Sequence, residues 1–162
     1  MAYQRLQVSN SVDVIPSDTV PIPDPATFVL TGVANMSVGG TLTDVGTSAG
    51  IQKNAILYAV SSGKAYFVTS VDSDTQLTVS PAVAASPTEV YAIYNAPTLG
   101  ATLYVGTSGN ISVEMASQRN AVEVVGVNPT VYSNVPNGSF MPILVTRVNE
   151  AQTLASNIKA LF

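Results

Sequence analysis

From Phe28 to Tyr94, apolar and polar positions alternate in short runs, and turn residues separate the runs. Gly39-Gly40 and the stretch Gly46 to Gly50 punctuate its first part. Ala55 to Val60 is an apolar run, closed by the turn Ser61-Ser62-Gly63-Lys64. Ala65, Phe67, Thr69 and Val71 then alternate with Lys64, Tyr66, Val68 and Ser70. Asp72-Ser73-Asp74 predicts the next turn, because short carboxylate and hydroxyl side chains bond the local backbone. Leu77 and Val79 alternate with Gln76 and Thr78, Pro81 to Pro87 is a loop of small residues, and Val90, Ala92 and Tyr94 alternate with Tyr91 and Ile93. A period of two is the mark of a strand. About five short strands at roughly 8–12 residue spacing predict a small all-β barrel or sandwich.

The last sixty residues have their own pattern. Gly106 and Gly109 bracket Thr107-Ser108, with Asn110 following, which predicts a hairpin turn. Ile111, Val113 and Met115 alternate with Ser112 and Glu114. Asn137-Gly138 is a second turn signal. Pro136 and Pro142 flank it and suit strand edges or starts, since proline donates nothing to a ladder. Leu154, Ile158 and Leu161 have helical spacing, with Asn149 or Thr153 as caps, and predict one helical turn at most. At the other end, Met1 to Asn10 is an amphiphilic lead. It suits an edge strand or frayed terminus, or an arm that docks on a neighbouring subunit. Val12, Val14 and Ile15 signal a short strand, which Pro16-Ser17-Asp18 breaks. Pro21-Ile22-Pro23-Asp24-Pro25 is stiff and extended and forms the best boundary in the sequence.

These signals predict an all-β protein. Residues 1–25 and 97–162 would share a β-sandwich, and residues 26–96 would be an inserted small β-barrel-like unit. Two units in tandem fit the pattern nearly as well, and no clear repeat relates the halves.

The C-terminal half also shows a resemblance. Leu103-Tyr104-Val105-Gly106-Thr107-Ser108-Gly109-Asn110, the turn Val135-Pro136-Asn137-Gly138, the strand Met141 to Val148 and the ending Ala160-Leu161-Phe162 occur in order. Together they resemble small tailed-phage virion proteins related to the head spike base of gene transfer agents. Ser17-Asp18-Thr19-Val20 resembles the start of that family's N-terminal strand. The similarity covers about half of the 162 residues. The departures are Phe162 where the family ends on tyrosine, and the long segment before Leu103. The resemblance implies a turn at Thr153 to Asn157 followed by a short final strand. It also implies a structural protein on the capsid surface of a phage virion, either a decoration (cement) subunit or the base of a vertex spike. Its partners would be the major capsid protein, further copies of itself, and a spike or fibre protein. Capsid symmetry suits a homotrimer for cement and a pentamer for a spike base. A neck, tail or fibre-attachment component is the rival within the class. A carbohydrate-binding module on the virion surface is the rival outside it.

Composition narrows the chemistry. The protein has 162 residues, enough to bury a core without disulfides or metals. Hydrophobic residues make up 46% and charged residues only 10%, so it is too apolar to be disordered. The surface is left to Ser, Thr, Asn and backbone, which suits a protein covered by partners. Six basic residues stand singly against a net charge of −4, so no phosphate-neutralising stripe points to nucleic acid. No run of eighteen apolar residues predicts a membrane span. Met1-Ala2-Tyr3-Gln4-Arg5 lacks the apolar core of a signal peptide.

There is no histidine, cysteine or tryptophan. The usual neutral-pH base, the thiol nucleophile and the common zinc ligands are therefore missing. Asp72-x-Asp74 is the one close carboxylate pair in a turn setting. It suits a solvated turn better than a glycosidase acid pair or a calcium site. Gly106-x-x-Gly109 lacks the lysine and following helix of a phosphate loop. Tyr58, Tyr66, Tyr91, Tyr94, Tyr104 and Tyr132 lie in strand-like segments, where packing is the expected role and one or two exposed rings would mark an interface. No enzyme activity, catalytic residue, cofactor or metal is assigned.

Overall fold

The computed structural model describes residues 8–43, 45–81, 85–118 and 129–162. The described strands are β1 (Ser11–Asp13), β2 (Phe28–Met36), β3 (Thr41–Thr43), β4 (Ile56–Ala59), β5 (Lys64–Ser73), β6 (Gln76–Ser80), β7 (Ser86–Tyr94), β8 (Ala101–Thr107), β9 (Gly109–Met115), β10 (Thr130–Val135), β11 (Ser139–Val148) and β12 (Ser156–Leu161). Helical structure among the described residues is limited to the 3-10 turns Pro25–Thr27 and Ala116–Gln118. The protein is all-β with two sheets. One is six-stranded in the order β1-β12-β8-β11-β9-β10, and the other closes into a barrel in the order β2-β3-β6-β5-β4-β7.

The barrel is antiparallel throughout, and β7 closes it by pairing with both β2 and β4. Met36, Leu42, Leu57, Val68, Leu77, Tyr91 and Ile93 fill it. Closure removes free strand edges, so few charges are needed on this unit to prevent edge pairing. Glu89 also points inward and is fully buried. Its carboxylate accepts from the Ser62 N–H at 3.0 Å, while the Val90 N–H donates to the Ser61 hydroxyl at 3.1 Å. These two bonds tie the β4–β5 turn down onto β7.

In the open sheet β11 pairs with β8 on one side and β9 on the other. The first half of β11 pairs with β8, from Ser139↔Val105 to Met141↔Leu103. Its second half pairs with β9 through Arg147↔Glu114 and Val148↔Val113. The β8 register shifts between Met141 and Val145. Pro142 lies in this interval and has no N–H to donate, so the ladder is weakest there. Leu103 and Val105 of β8, Ile111 and Val113 of β9, Val145 and Val148 of β11, and Ile158 and Ala160 of β12 share one core.

Asn137-Gly138 is a turn as expected, whereas Gly106 to Gly109 is not the expected hairpin. Gly106 to Gly109 does connect successive strands, but β8 and β9 are not partners, so the link crosses the sheet rather than closing a hairpin. Gly109 is required by a close approach. A Cβ there would lie 2.5 Å from the Ala155 nitrogen, because the segment before β12 passes over it. That segment donates from Leu154 and Ala155 to the Asn110 carbonyl at 2.8 and 3.0 Å. Asn137-Gly138 likewise links β10 to β11, which are not paired. Ser17 to Val20 is a turn rather than a strand, since the Ser17 hydroxyl accepts from the Val20 N–H at 3.1 Å. The C-terminal turn sits at Ala151–Gln152, slightly earlier than expected, with Gln152 at φ 69°.

β4 joins the two sheets. Every residue of it is buried. Leu57 and Ala59 face the barrel core. Ile56 and Tyr58 face outward and pack with Val12, Val20 and Ala65, supported by Ile15, Phe67 and Phe162. Beside this contact the backbone enters the barrel and returns from it. Pro23 and Pro97 form a bridge, Asp24 N–H donates to Ala96 O at 3.0 Å, and Thr98 N–H donates to Ile22 O at 2.9 Å. Asp24 also accepts from the Ala26 N–H at 2.9 Å, capping the 3-10 turn that Pro25 opens. Lys64 of the barrel pairs with Glu150 of the open-sheet segment at 2.6 Å.

Burial pushes the Tyr58 phenol well above its ordinary pKa of 10.0. The hydroxyl lies against the Ile15 backbone without a hydrogen bond of ordinary geometry. The folded state thus keeps a proton that the unfolded state releases. Stability from this source is whole below about pH 10 and is lost progressively as pH rises toward the folded value. Tyr58→Phe is therefore expected to leave stability at neutral pH unchanged or slightly higher, since it deletes an unpaired buried hydroxyl. It should also make the alkaline decline above about pH 10 shallower. Urea midpoints measured across that range check both. Parallel declines in the two proteins would rule Tyr58 out as the responsible group.

Candidate functional site

The residues singled out for chemistry do not converge. Asp72 lies in β5, and its carboxylate accepts from the Ser70 and Thr78 hydroxyls, both at 2.6 Å. These bonds hold its pKa below the usual carboxylate value, so it is ionised at neutral pH and is unsuited to act as a general acid. Asp74 lies in the turn that follows, where its carbonyl accepts from the Ser48 N–H at 2.7 Å. Among the described residues no three His, Cys, Asp or Glu side chains group as a metal site would require.

The tyrosines sort by position. Tyr58, Tyr66 and Tyr91 are buried. Tyr94 and Tyr132 are half-buried. Tyr94 stands edge-on to Phe28 at 5.6 Å and to Tyr58 at 6.1 Å between ring centroids. Tyr104 is exposed at 39%. Of the N-terminal arm, residues 1–7 lie outside the described residues. Ser9 and Asn10 donate from their backbone to the Phe162 carbonyl.

Tyr104 belongs to an apolar face. β8 is central in its part of the sheet, with Tyr104 opposite Phe140 on β11 and opposite Lys159 on β12. Phe140 is 44% exposed, and Pro142 and Leu144 follow it at alternate positions on the same strand, both exposed. A Cβ on Gly100 would lie 3.2 Å from the Leu144 Cβ, which places Leu99, exposed at 82%, beside the end of this row. Lys159, the charged neighbour of Tyr104, is already paired with Asp13 on β1. The face therefore presents aromatic and aliphatic carbon with its nearest cation neutralised. Exposed apolar side chains grouped on one sheet face form the candidate interaction surface of the described residues.

The described surface also has an open polar cleft of 480 Å³ lined by Asp18, Pro129, Arg147, Asn149, Ala151 and Gln152. Its polar groups are largely engaged with protein. Arg147 pairs with Glu114 at 2.6 Å and donates to Asn149 at 3.1 Å, and Asp18 accepts from the Ala151 N–H at 2.9 Å. The arrangement braces the turn after β11.

Sequence reasoning placed Tyr104 and Phe140 within or beside the segments of the resemblance but did not set them on one face. The alternation Phe140-x-Pro142-x-Leu144 was visible. Its partner row Met141, Ile143 and Val145 is just as apolar, so periodicity alone does not say which row is outside. No protein-family model, curated protein or solved structure matches this protein.

Because Tyr104 and Phe140 face outward, the double substitution Tyr104→Ser, Phe140→Ser is expected to cost about 1 kcal/mol or less, the scale of a cross-strand pair. Leu103→Ala, one position away and fully buried, is expected to cost about 2–5 kcal/mol. Urea denaturation of these two variants and the unsubstituted protein checks the ordering. A double mutant as unstable as Leu103→Ala would mean that the pair belongs to the core.

Proposed function

We propose that this protein is a structural component of a tailed-phage virion that decorates the capsid and stabilises it, as a cement subunit or the base of a vertex spike. The observation that carries this reading is the apolar Tyr104–Phe140 face. The strands that build it lie in the half that resembles the spike-base family, and the low surface charge suits permanent burial. In this reading the open sheet folds as a two-layer sandwich related to that family, with the barrel as an insertion. The face is buried against the major capsid protein, and oligomer symmetry repeats the contact around a capsid axis. The mechanism is mechanical. Each copy removes apolar surface from water at a junction between capsid subunits, and opening the shell then requires that surface to be exposed again. No catalytic role, cofactor, nucleic acid or membrane enters this reading.

The exposed aromatic pair also suits stacking against a sugar ring, so a glycan-binding module on the virion surface is the second reading. The two separate cleanly in experiment. Purified protein is expected to bind expanded capsids lacking it, and the Tyr104→Ser, Phe140→Ser protein is expected to lose at least about tenfold in affinity, or roughly 1.4 kcal/mol. Failure to bind such capsids would remove the head assignment and leave the neck or fibre region. Binding on a glycan array instead would favour the second reading. Light scattering across a dilution series distinguishes a trimer, expected of cement, from a pentamer, expected of a spike base.

A further inference from the structure

Asn137 is the one asparagine in the sequence followed by glycine. It and Gly138 form the exposed link between β10 and β11. Gly138 has φ 73° and lies close to the Tyr104 hydroxyl. Asparagine is a thermally labile residue, and a following glycine removes the side chain that would shield the next backbone nitrogen. The intrinsic reaction is intramolecular. The Gly138 nitrogen attacks Asn137 Cγ and forms a new C–N bond. The bond from Cγ to the amide Nδ2 breaks, and ammonia leaves with the proton from the Gly138 N–H. Water then opens the cyclic imide at either carbonyl, giving aspartate or its backbone-shifted isomer.

Two hydrogen bonds hold both reacting groups away from this path. The Gly138 N–H donates to the Val105 carbonyl at 2.9 Å, which keeps its proton and points it at β8. The Asn137 Oδ1 accepts from the Ser108 N–H in the β8–β9 link. The Ser139 hydroxyl further closes the turn by donating to the Pro136 carbonyl at 2.8 Å. We infer that Asn137-Gly138 is a self-modification site gated by the fold. The native turn suppresses conversion, and local opening of this end of the sheet releases it. The conversion is permanent, so the product registers how long the turn has stood open. It places a new carboxylate in the turn whose Gly138 lies near the Tyr104 hydroxyl. The gating does not depend on what that face binds.

The test incubates the full-length protein at mildly alkaline pH, native and in urea, and follows amide-to-acid conversion by intact mass and peptide mapping. Conversion at Asn137 is expected to be slower by about tenfold or more in the native protein. Ser108→Pro removes the N–H that holds Asn137 Oδ1 and is expected to raise the native rate toward the rate in urea. Hydrogen exchange at the Gly138 amide in the unsubstituted protein gives a reading that does not depend on how that variant folds, and protection is expected. Equal native and urea rates, or an unprotected Gly138 amide, would overturn the inference.

Discussion

β4 is buried on both sides, and the junction between the two sheets rests on that burial. A barrel strand ordinarily shows one face to the core and the other to water. β4 shows neither face to water, because Ile56 and Tyr58 on its outside are covered by Val12, Val20, Ala65 and the flanking Ile15, Phe67 and Phe162. Those residues come from β1, the turn after it, the neighbouring barrel strand β5, and the C-terminal end. One small cluster therefore joins the first and last parts of the sequence to its middle. The Pro23–Pro97 bridge and the Lys64–Glu150 pair also tie the two parts together. Exposed ion pairs contribute little to stability, so the apolar cluster carries the attachment.

The open sheet solves a different problem. A single six-stranded sheet has two faces and here only one core to build. Residues of β8, β9, β11 and β12 share one buried interior. The register shift near Pro142 is where the ladder yields. Tyr104, Phe140, Pro142 and Leu144 lie on the outer side, where no described element buries them. These residues form the apolar face proposed to meet the capsid.

The described ion pairs and hydrogen-bonded carboxylates are tied into the fold. The described ion pairs, Lys64–Glu150, Arg147–Glu114 and Lys159–Asp13, each join two elements of the fold. Asp72 is occupied by two hydroxyls in its own hairpin. Glu89, buried in the barrel, accepts from a turn amide through one oxygen, and its other oxygen has no hydrogen-bond partner. These carboxylates bond the backbone and neighbouring side chains of the fold.

The all-β class was legible in the sequence because period-two alternation is local and needs no knowledge of partners. Ala55 to Val60, Ala65 to Val71 and Ile111 to Met115 all fall in or beside strands for that reason. The turn residues were legible too, since the left-handed backbone of Gly63 and Gly138 is a property of the residue itself. Pairing was not legible. Gly106 to Gly109 and Asn137-Gly138 look like hairpin turns locally, yet each links strands that bond to others, because β11 lies between β8 and β9 and β9 lies between β10 and β11. Orientation was not legible where both rows of a strand are apolar, as in β4 and β11. Which row is core and which is surface depends on what lies across from it. Local pattern was enough to say where the backbone extends and where it turns. Packing between distant elements was needed to bury Tyr58 and expose Tyr104, because the open sheet and the C-terminal end cover the first and no described element covers the second.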